Sequence, residues 1–188
     1  MLAGLFRDAV AELVFDTLDQ LLAAPSPPAH PALRQHDLTA GAASPLVLVV
    51  GDVVLGRSLV GIGRRRGAGG RLPLYTLQVA APAKARAARK LEGVLVAELP
   101  EELPLPASSA AVLIGVGAMA APVPSRWLTE WCRVVRPGGG LILVDRCAPT
   151  LATRHALCAG LVELEQRHSG RAVVTSGLVT ADSVAAVA

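Results

Sequence analysis

With 188 residues, 52% of them apolar, the chain is long enough for one domain with a substantial core. Only 3% of the residues are aromatic, so that core has to be built from Val, Leu, Ile and Ala. The net charge of +3 is modest, and the three cysteines Cys132, Cys147 and Cys158 form no CxxC pair, which indicates neither a disulfide framework nor a zinc site.

Residues 2–23 read as one amphipathic helix. Asp8, Glu12, Asp16 and Asp19 line up at spacings of four, four and three as an acidic stripe. Leu5, Phe6, Val10, Leu13, Val14, Leu18, Leu21 and Leu22 cover the other side. The same acids stand where a signal peptide needs its apolar stretch, so the expected location is cytoplasmic. A proline-rich connector, PSPPAHPALRQHD, follows and cannot continue the helix. The expected division is therefore a helix over 1–24, a connector over 25–44 and an α/β domain over 45–188.

From Pro45 strands and helices alternate. Leu46–Val50 is a continuous apolar run, as suits a strand buried on both faces. Residues 54–66 predict a helix, Leu72–Val79 a strand, Pro82–Leu91 a helix and Gly93–Ala97 a short strand. Ala110–Val116 is the next strand. The uncharged run Ala110–Pro124 is too short to span a membrane and holds two prolines, so no membrane span is expected. PSRWLTEWCRVVRPGGG predicts a helix stopped by Pro137 and the glycines after it. Leu141–Asp145 is a further strand, Leu151–His168 a long helix, and RAVVTSGLVTADSVAAVA two strands around a turn. Such alternation implies an α/β fold: a doubly wound, mostly parallel sheet with closing antiparallel strands and an N-terminal helix.

The segment LPLPASSAAVLIGVGAMAAPVPSRWLTEWCRVVRPGGGLILVD, Leu103–Asp145, resembles the second half of a class I S-adenosylmethionine-dependent methyltransferase domain. In that family an LPFP loop precedes a strand, and a helix ending in RVLRPGG feeds a strand that ends in an acid. RVVRPGGGLILVD is the most specific part, and the resemblance extends from Pro45 to Ala188. It implies a Rossmann-like fold and S-adenosylmethionine as the cofactor of an active member. Carried over residue by residue, the cofactor positions fall on Gly51, Asp52, Gln78 and Glu98. The first strand of the family ends in an acid two residues before a GxGxG turn. Here that acid is Val49, and the turn reads Gly51-Asp52-Val53-Val54-Leu55, with only its first glycine kept. The ribose acid at the end of the second strand is replaced by Gln78 or Val79. Glu98, with Leu99 alignable in its place, stands near the adenine position. After the fourth strand, IGVGAMAAPVP offers no acid, His, Tyr or Asn to orient a nucleophile, so no catalytic residue is assigned.

Gly51 to Ser58 also fits the GxxxxG[K]S spacing of a phosphate-binding P-loop, with Arg57 in place of Lys. Val53, Val54 and Leu55 would crowd its phosphate cradle. His155, Cys158, Glu163, Glu165 and His168 gather on one predicted helix, where a solvated polar face outweighs a metal site, and no metal is expected. Asp145 and Arg146 stand at a strand's carboxyl end, where they would serve a site, an ion pair or a cap. Trp127 and Trp131, four residues apart, suit packing better than stacking on a ligand.

From Val53 to Leu91 the chain carries nine basic residues and no acid. Arg64, Arg65, Arg66, Lys84, Arg86, Arg89 and Lys90 form a candidate surface for an acidic protein partner, or for the acidic stripe of another copy's N-terminal helix. Nucleic acid fits less well, because no aromatic residues interleave with these charges. The combined expectation is a pseudo-methyltransferase that binds proteins and needs no cofactor. The alternatives are an active, divergent S-adenosylmethionine-dependent methyltransferase and a P-loop-like nucleotide-binding protein.

Overall fold

The computed structural model describes residues 2–23, 47–51, 53–66, 74–79, 94–97 and 101–181. The helix expected over Pro82–Leu91 and the connector over 25–44 lie outside them. Seven strands form one sheet in the order β3-β2-β1-β4-β5-β7-β6. They are β1 (Val47–Val50), β2 (Leu74–Val79), β3 (Val94–Ala97), β4 (Ala110–Val116), β5 (Val135–Asp145), β6 (Leu161–Ser169) and β7 (Ala172–Val179). β1 to β5 pair in parallel, and β7 runs antiparallel to both of its neighbours. The order reverses between β1 and β4, which opens a crevice at their carboxyl ends.

Helices α1 (Leu2–Ala23) and α2 (Val53–Arg65) cover one face of the sheet, and α3 (Pro124–Val134) and α4 (Pro149–Cys158) the other. Side chains alternate across a strand, so both faces of β1 must be apolar. Val47 and Val49 pack with Val14, Phe15 and Leu18 of α1, whereas Leu48 and Val50 pack with Leu128 and Trp131 of α3. β4 and β5 divide in the same way: Ile114 and Ile142 face α1, and Leu113 and Leu141 face α3. Trp131 lies over the backbone of Gly115, where a Cβ would come 1.9 Å from the indole. Trp127 packs beside it with the rings tilted by 46° at a centroid distance of 5.8 Å. Both tryptophans are packing residues.

α1 is part of the core. Its residue Phe15 flanks the acidic stripe in sequence, yet it is only 1% exposed, with Gly63 of α2 beneath it and the Arg66 guanidinium 5.2 Å from its ring. Phe15 is missing from the apolar set read from the sequence, and at helical spacing it shares a side with Glu12 and Asp19. Glu12 accepts hydrogen bonds from Arg65 and Arg66, and Asp16 accepts one from Arg66 at 2.6 Å. The pKa of Arg66 is raised, chiefly by the hydrogen bond to Asp16. Glu12 and Asp16 thus find basic partners within their own chain.

Three expected elements differ. α3 stops at Val134, before Pro137: the Arg133 carbonyl accepts a hydrogen bond from the Ser108 amide at 2.8 Å, and Val135 is already extended against Ala110. β5 then runs through the glycines, with Gly139 pressed so close to Ala111 that a Cβ would lie 2.6 Å from its carbonyl oxygen. The long helix expected over 151–168 is a helix and a strand. Gly160 takes φ +80° just after α4, and its amide donates back to the Leu157 carbonyl. β6 follows as the edge strand, with a bulge at Glu163 (φ +52°). The closing hairpin is therefore β6–β7 with its turn at Gly170; of the tail expected to form two strands, the described residues supply β7, and residues 182–188 lie outside them.

The LPLP loop is held by α3. Glu130 accepts from the Leu103 amide at 2.7 Å and from Arg133, while Arg133 donates to the carbonyls of Leu103 and Leu105. The Arg133 pKa is raised, chiefly by its hydrogen bond to Glu130.

Candidate functional site

At the carboxyl edge of the sheet the chain leaves β1 through Gly51, with φ +97°. A Cβ on Gly51 would stand 2.8 Å from the Val116 carbonyl oxygen at the end of β4. Two physical demands, a left-handed backbone and close passage past a neighbouring strand, already require glycine here. α2 begins two residues later, at Val53, with Val54 half-exposed and Leu55 buried.

The P-loop reading fails on this geometry. Residues 53–58 are helical, so Gly56, Arg57 and Ser58 lie inside α2. Their amides belong to a helix and do not converge as a phosphate cradle does.

Beside the turn lies a cavity of about 430 Å³. α1 contributes Val10 to its wall, α2 Val54 and Leu55, the end of β4 Val116, and the end of β5 Val144 and Asp145. Gly117 (φ +79°) turns the chain after β4 into a short 3-10 turn, Ala118–Ala120, and Met119 and Ala120 of that turn also line the space. Asp145 is 4% exposed. Its Oδ1 accepts a hydrogen bond from the Met119 amide at 2.8 Å, while Oδ2 has no partner among the described residues. Burial raises the Asp145 pKa, and the Met119 bond opposes that rise in part. Cys147, on the same wall, has its thiol pKa raised first by burial and then by the charge of Asp145, against a hydrogen bond from the Ala152 backbone. Cys132 lies in the opposite core, where burial pushes its thiol up to about 12.

The sequence-predicted residues are scattered. Gly51 lies at this edge, and Gln78 is paired in register with Val96, one residue before the end of β2. Asp52 and Glu98 lie outside the described residues. Of the basic surface, Arg64 is exposed at the end of α2, whereas Arg65 and Arg66 are taken up by α1. Lys84, Arg86, Arg89 and Lys90 lie outside the described residues. The His/Cys/Glu cluster does not form, because His155 and Cys158 are on α4 and Glu163, Glu165 and His168 on β6. Among the described residues no group of three such side chains is placed to hold a metal. No helix among them is long and apolar enough to cross a membrane. Of the residues singled out at β5, Asp145 acts as a cap on the 3-10 turn. Met119 gives no sequence signal of its nearness to it, since only the pairing of β4 with β5 brings the two together, whereas Cys147 follows Asp145 by two residues.

No family model and no curated protein matches the sequence. Solved structures do. A chain from the complex of the Haloferax volcanii Trm112 methyltransferase activator with a methyltransferase matches at 16% identity and a TM-score of 0.58, covering 78% of this chain and 88% of that one. The chain has the class I methyltransferase fold. A SAM-dependent methyltransferase from Aquifex aeolicus matches at 15% identity and a TM-score of 0.52, over 80% of this chain and 94% of that one. Human N-acetylserotonin methyltransferase, solved with SAM, matches at 14% identity and 0.53, over 72% of this chain and 48% of that one. The methyltransferase fold accounts for the strand order, the reversal between β1 and β4, and the antiparallel β7 near the edge.

Proposed function

We propose that this chain is a pseudo-methyltransferase: a methyltransferase-type scaffold that does not use S-adenosylmethionine and serves as a protein-binding subunit. The observation that carries this reading is the run Val49–Leu55. Val49 and Val50 are buried in the sheet, Gly51 is explained by its contact with Val116, and α2 starts at once with Val53, Val54 and Leu55. The cofactor does not fit there. Its binding needs bare backbone at the turn and carboxylates at the ends of β1 and β2, and the described positions supply β-branched side chains, a buried Val and Gln78. Losing charge-assisted hydrogen bonds worth roughly 1.5–3 kcal/mol each takes a micromolar ligand into the millimolar range. The protein-binding half of the proposal rests on the acid-free stretch from Val53 to Leu91, and is in keeping with a structural neighbour that was solved with an activator protein.

Calorimetric titration with S-adenosylmethionine at millimolar concentration, run beside a thermal-shift assay, tests the reading. The expected result is no saturable binding. Saturation below about 100 μM, roughly −5.5 kcal/mol, would restore an active, divergent methyltransferase.

A further inference from the structure

A strand at the end of a sheet turns one row of backbone N–H and C=O groups to solvent, and such a row is a template for another strand. Among the described residues β6 is such a strand: it is last in the sheet order and pairs only with β7. Its nine residues include neither the proline nor the lysine that commonly blunts an edge. The bulge at Glu163 confines its regular ladder to residues 165–169. The two-residue turn Gly170–Arg171 closes on Ser169 and Ala172, so that pair is a hydrogen-bonded one. Bonded and non-bonded pairs alternate from there. The backbone groups of Ser169, Arg167 and Glu165 therefore point to β7, and those of His168 and Gln166 point outward.

We propose that this edge pairs with the same edge of a second copy of the chain, antiparallel about a two-fold axis at Gln166, so that the two sheets become one. The charges select both the occupant and the register. An axis at Gln166 sets Glu165 opposite Arg167 of the other copy, and symmetry makes that ion pair twice. An axis at Glu165 or at Arg167 would set like charges directly opposite each other, which is unfavourable. An axis at His168 would set Arg167 opposite Ser169 and make no ion pair. Glu165 is exposed, and Arg167 is held over the strand by its hydrogen bond to Gln20 of α1. The two already lie 3.4 Å apart on one face of β6. Gln166 leaves the axis clear, because its amide donates to the Thr175 hydroxyl and to the Pro149 carbonyl. The second of these bonds places the first turn of α4 beside the axis. Leu151 in that turn, 39% exposed, gives each copy apolar surface there. The inference is independent of the cofactor reading and uses none of the basic surface from Arg64 to Lys90.

The test is sedimentation equilibrium of the full chain, which should form a reversible dimer by about 100 μM. Glu165→Arg alone, or Arg167→Glu alone, sets like charges opposite each other twice and should weaken the dimer about tenfold or more. Mixing the two variants in equal amounts should restore it, because a doubly positive strand then faces a doubly negative one. Far-ultraviolet circular dichroism and thermal melting establish that each variant is folded. Hydrogen exchange of the unaltered chain needs no variant: the outward amides of Gln166 and His168 should exchange more slowly as protein concentration rises. If either variant does not fold, that exchange experiment decides the matter. A monomer at about 100 μM, a dimer that a folded single variant leaves at full strength, folded variants that do not associate on mixing, or exchange at Gln166 and His168 that is independent of concentration, each overturns the proposal.

Discussion

Replacing Phe15 by alanine asks whether α1 belongs to the domain or merely rests on it. Phe15 is 1% exposed and wedged between Gly63 of α2 and the sheet, in one cluster with Val49, Ile114 and Ile142. Gly63 gives it room: the nearest ring carbon is 3.4 Å from where a Cβ would be. Truncating a buried Phe removes the transfer free energy of the ring and leaves a cavity that rigid strands cannot close, about 3–5 kcal/mol in all. With domain stabilities of roughly 5–15 kcal/mol, that is a large share of the total. For a urea slope near 2 kcal/mol/M, the unfolding midpoint should fall by about 1.5–2.5 M. The assay is equilibrium urea unfolding followed by both circular dichroism and tryptophan fluorescence. The second probe matters because Trp127 and Trp131, both on α3, report the opposite face of the sheet. One coincident transition, shifted as stated, would mean that α1 and the sheet unfold as a unit. A loss under about 1 kcal/mol, or α1 melting ahead of the tryptophan signal, would refute the reasoning. Asp16→Asn is the companion variant, and it should shift the midpoint far less because its pair with Arg66 is solvent-exposed.

Gly51→Ala should destabilise the chain by about 1–2 kcal/mol or more from the left-handed backbone alone, with the contact to the Val116 carbonyl added to that, read as a lower melting temperature. A neutral outcome would mean that the glycine is not needed for packing. Asp145 gives a pH dependence whose sign follows from its raised folded-state pKa. Between the unfolded and folded pKa values the native state holds more protons, so stability should fall as pH rises through that window. The stability–pH curve of Asp145→Asn should lack this slope, and parallel curves would refute the assignment. Reversing Arg86, Arg89 and Lys90 to Glu should weaken binding to an acidic polypeptide such as polyglutamate, and raised salt should do the same to the unaltered chain. Retention of binding under both conditions would remove the basic-surface reading.

The sequence carried the alternation of strands and helices because strands buried on both faces leave continuous apolar runs, as Val47–Val50 and Leu141–Val144 do. RVVRPGGG marked the return into the sheet, and the strand assigned to Ala110–Val116 has those bounds in the structure. Period and composition were weaker at Leu161–Ser169. Leu161 and Leu164 continue the helical spacing of α4, and only the hydrogen bonds that β6 makes with β7 turn that segment into a strand. For the same reason the sequence gathered five chemical residues on one helix, of which α4 holds only His155 and Cys158. Phe15 fell outside the apolar face read from the sequence, and Glu12 and Asp16 looked available to another molecule. Docking of α1 beside α2 buried the first and gave the other two the arginines at the end of α2. The candidate site shows the same division. Val49, Val53 and Leu55 were legible as side chains ill-suited to a cofactor turn, because steric fit at a turn is local. The cavity was not legible, since it depends on the carboxyl ends of β4 and β5, at Val116 and Asp145, and on α1 arriving from the start of the chain. Residue type is a property of the sequence, but burial depends on which distant segments close over it, and that closure leaves Asp145 Oδ2 without a partner in an apolar wall.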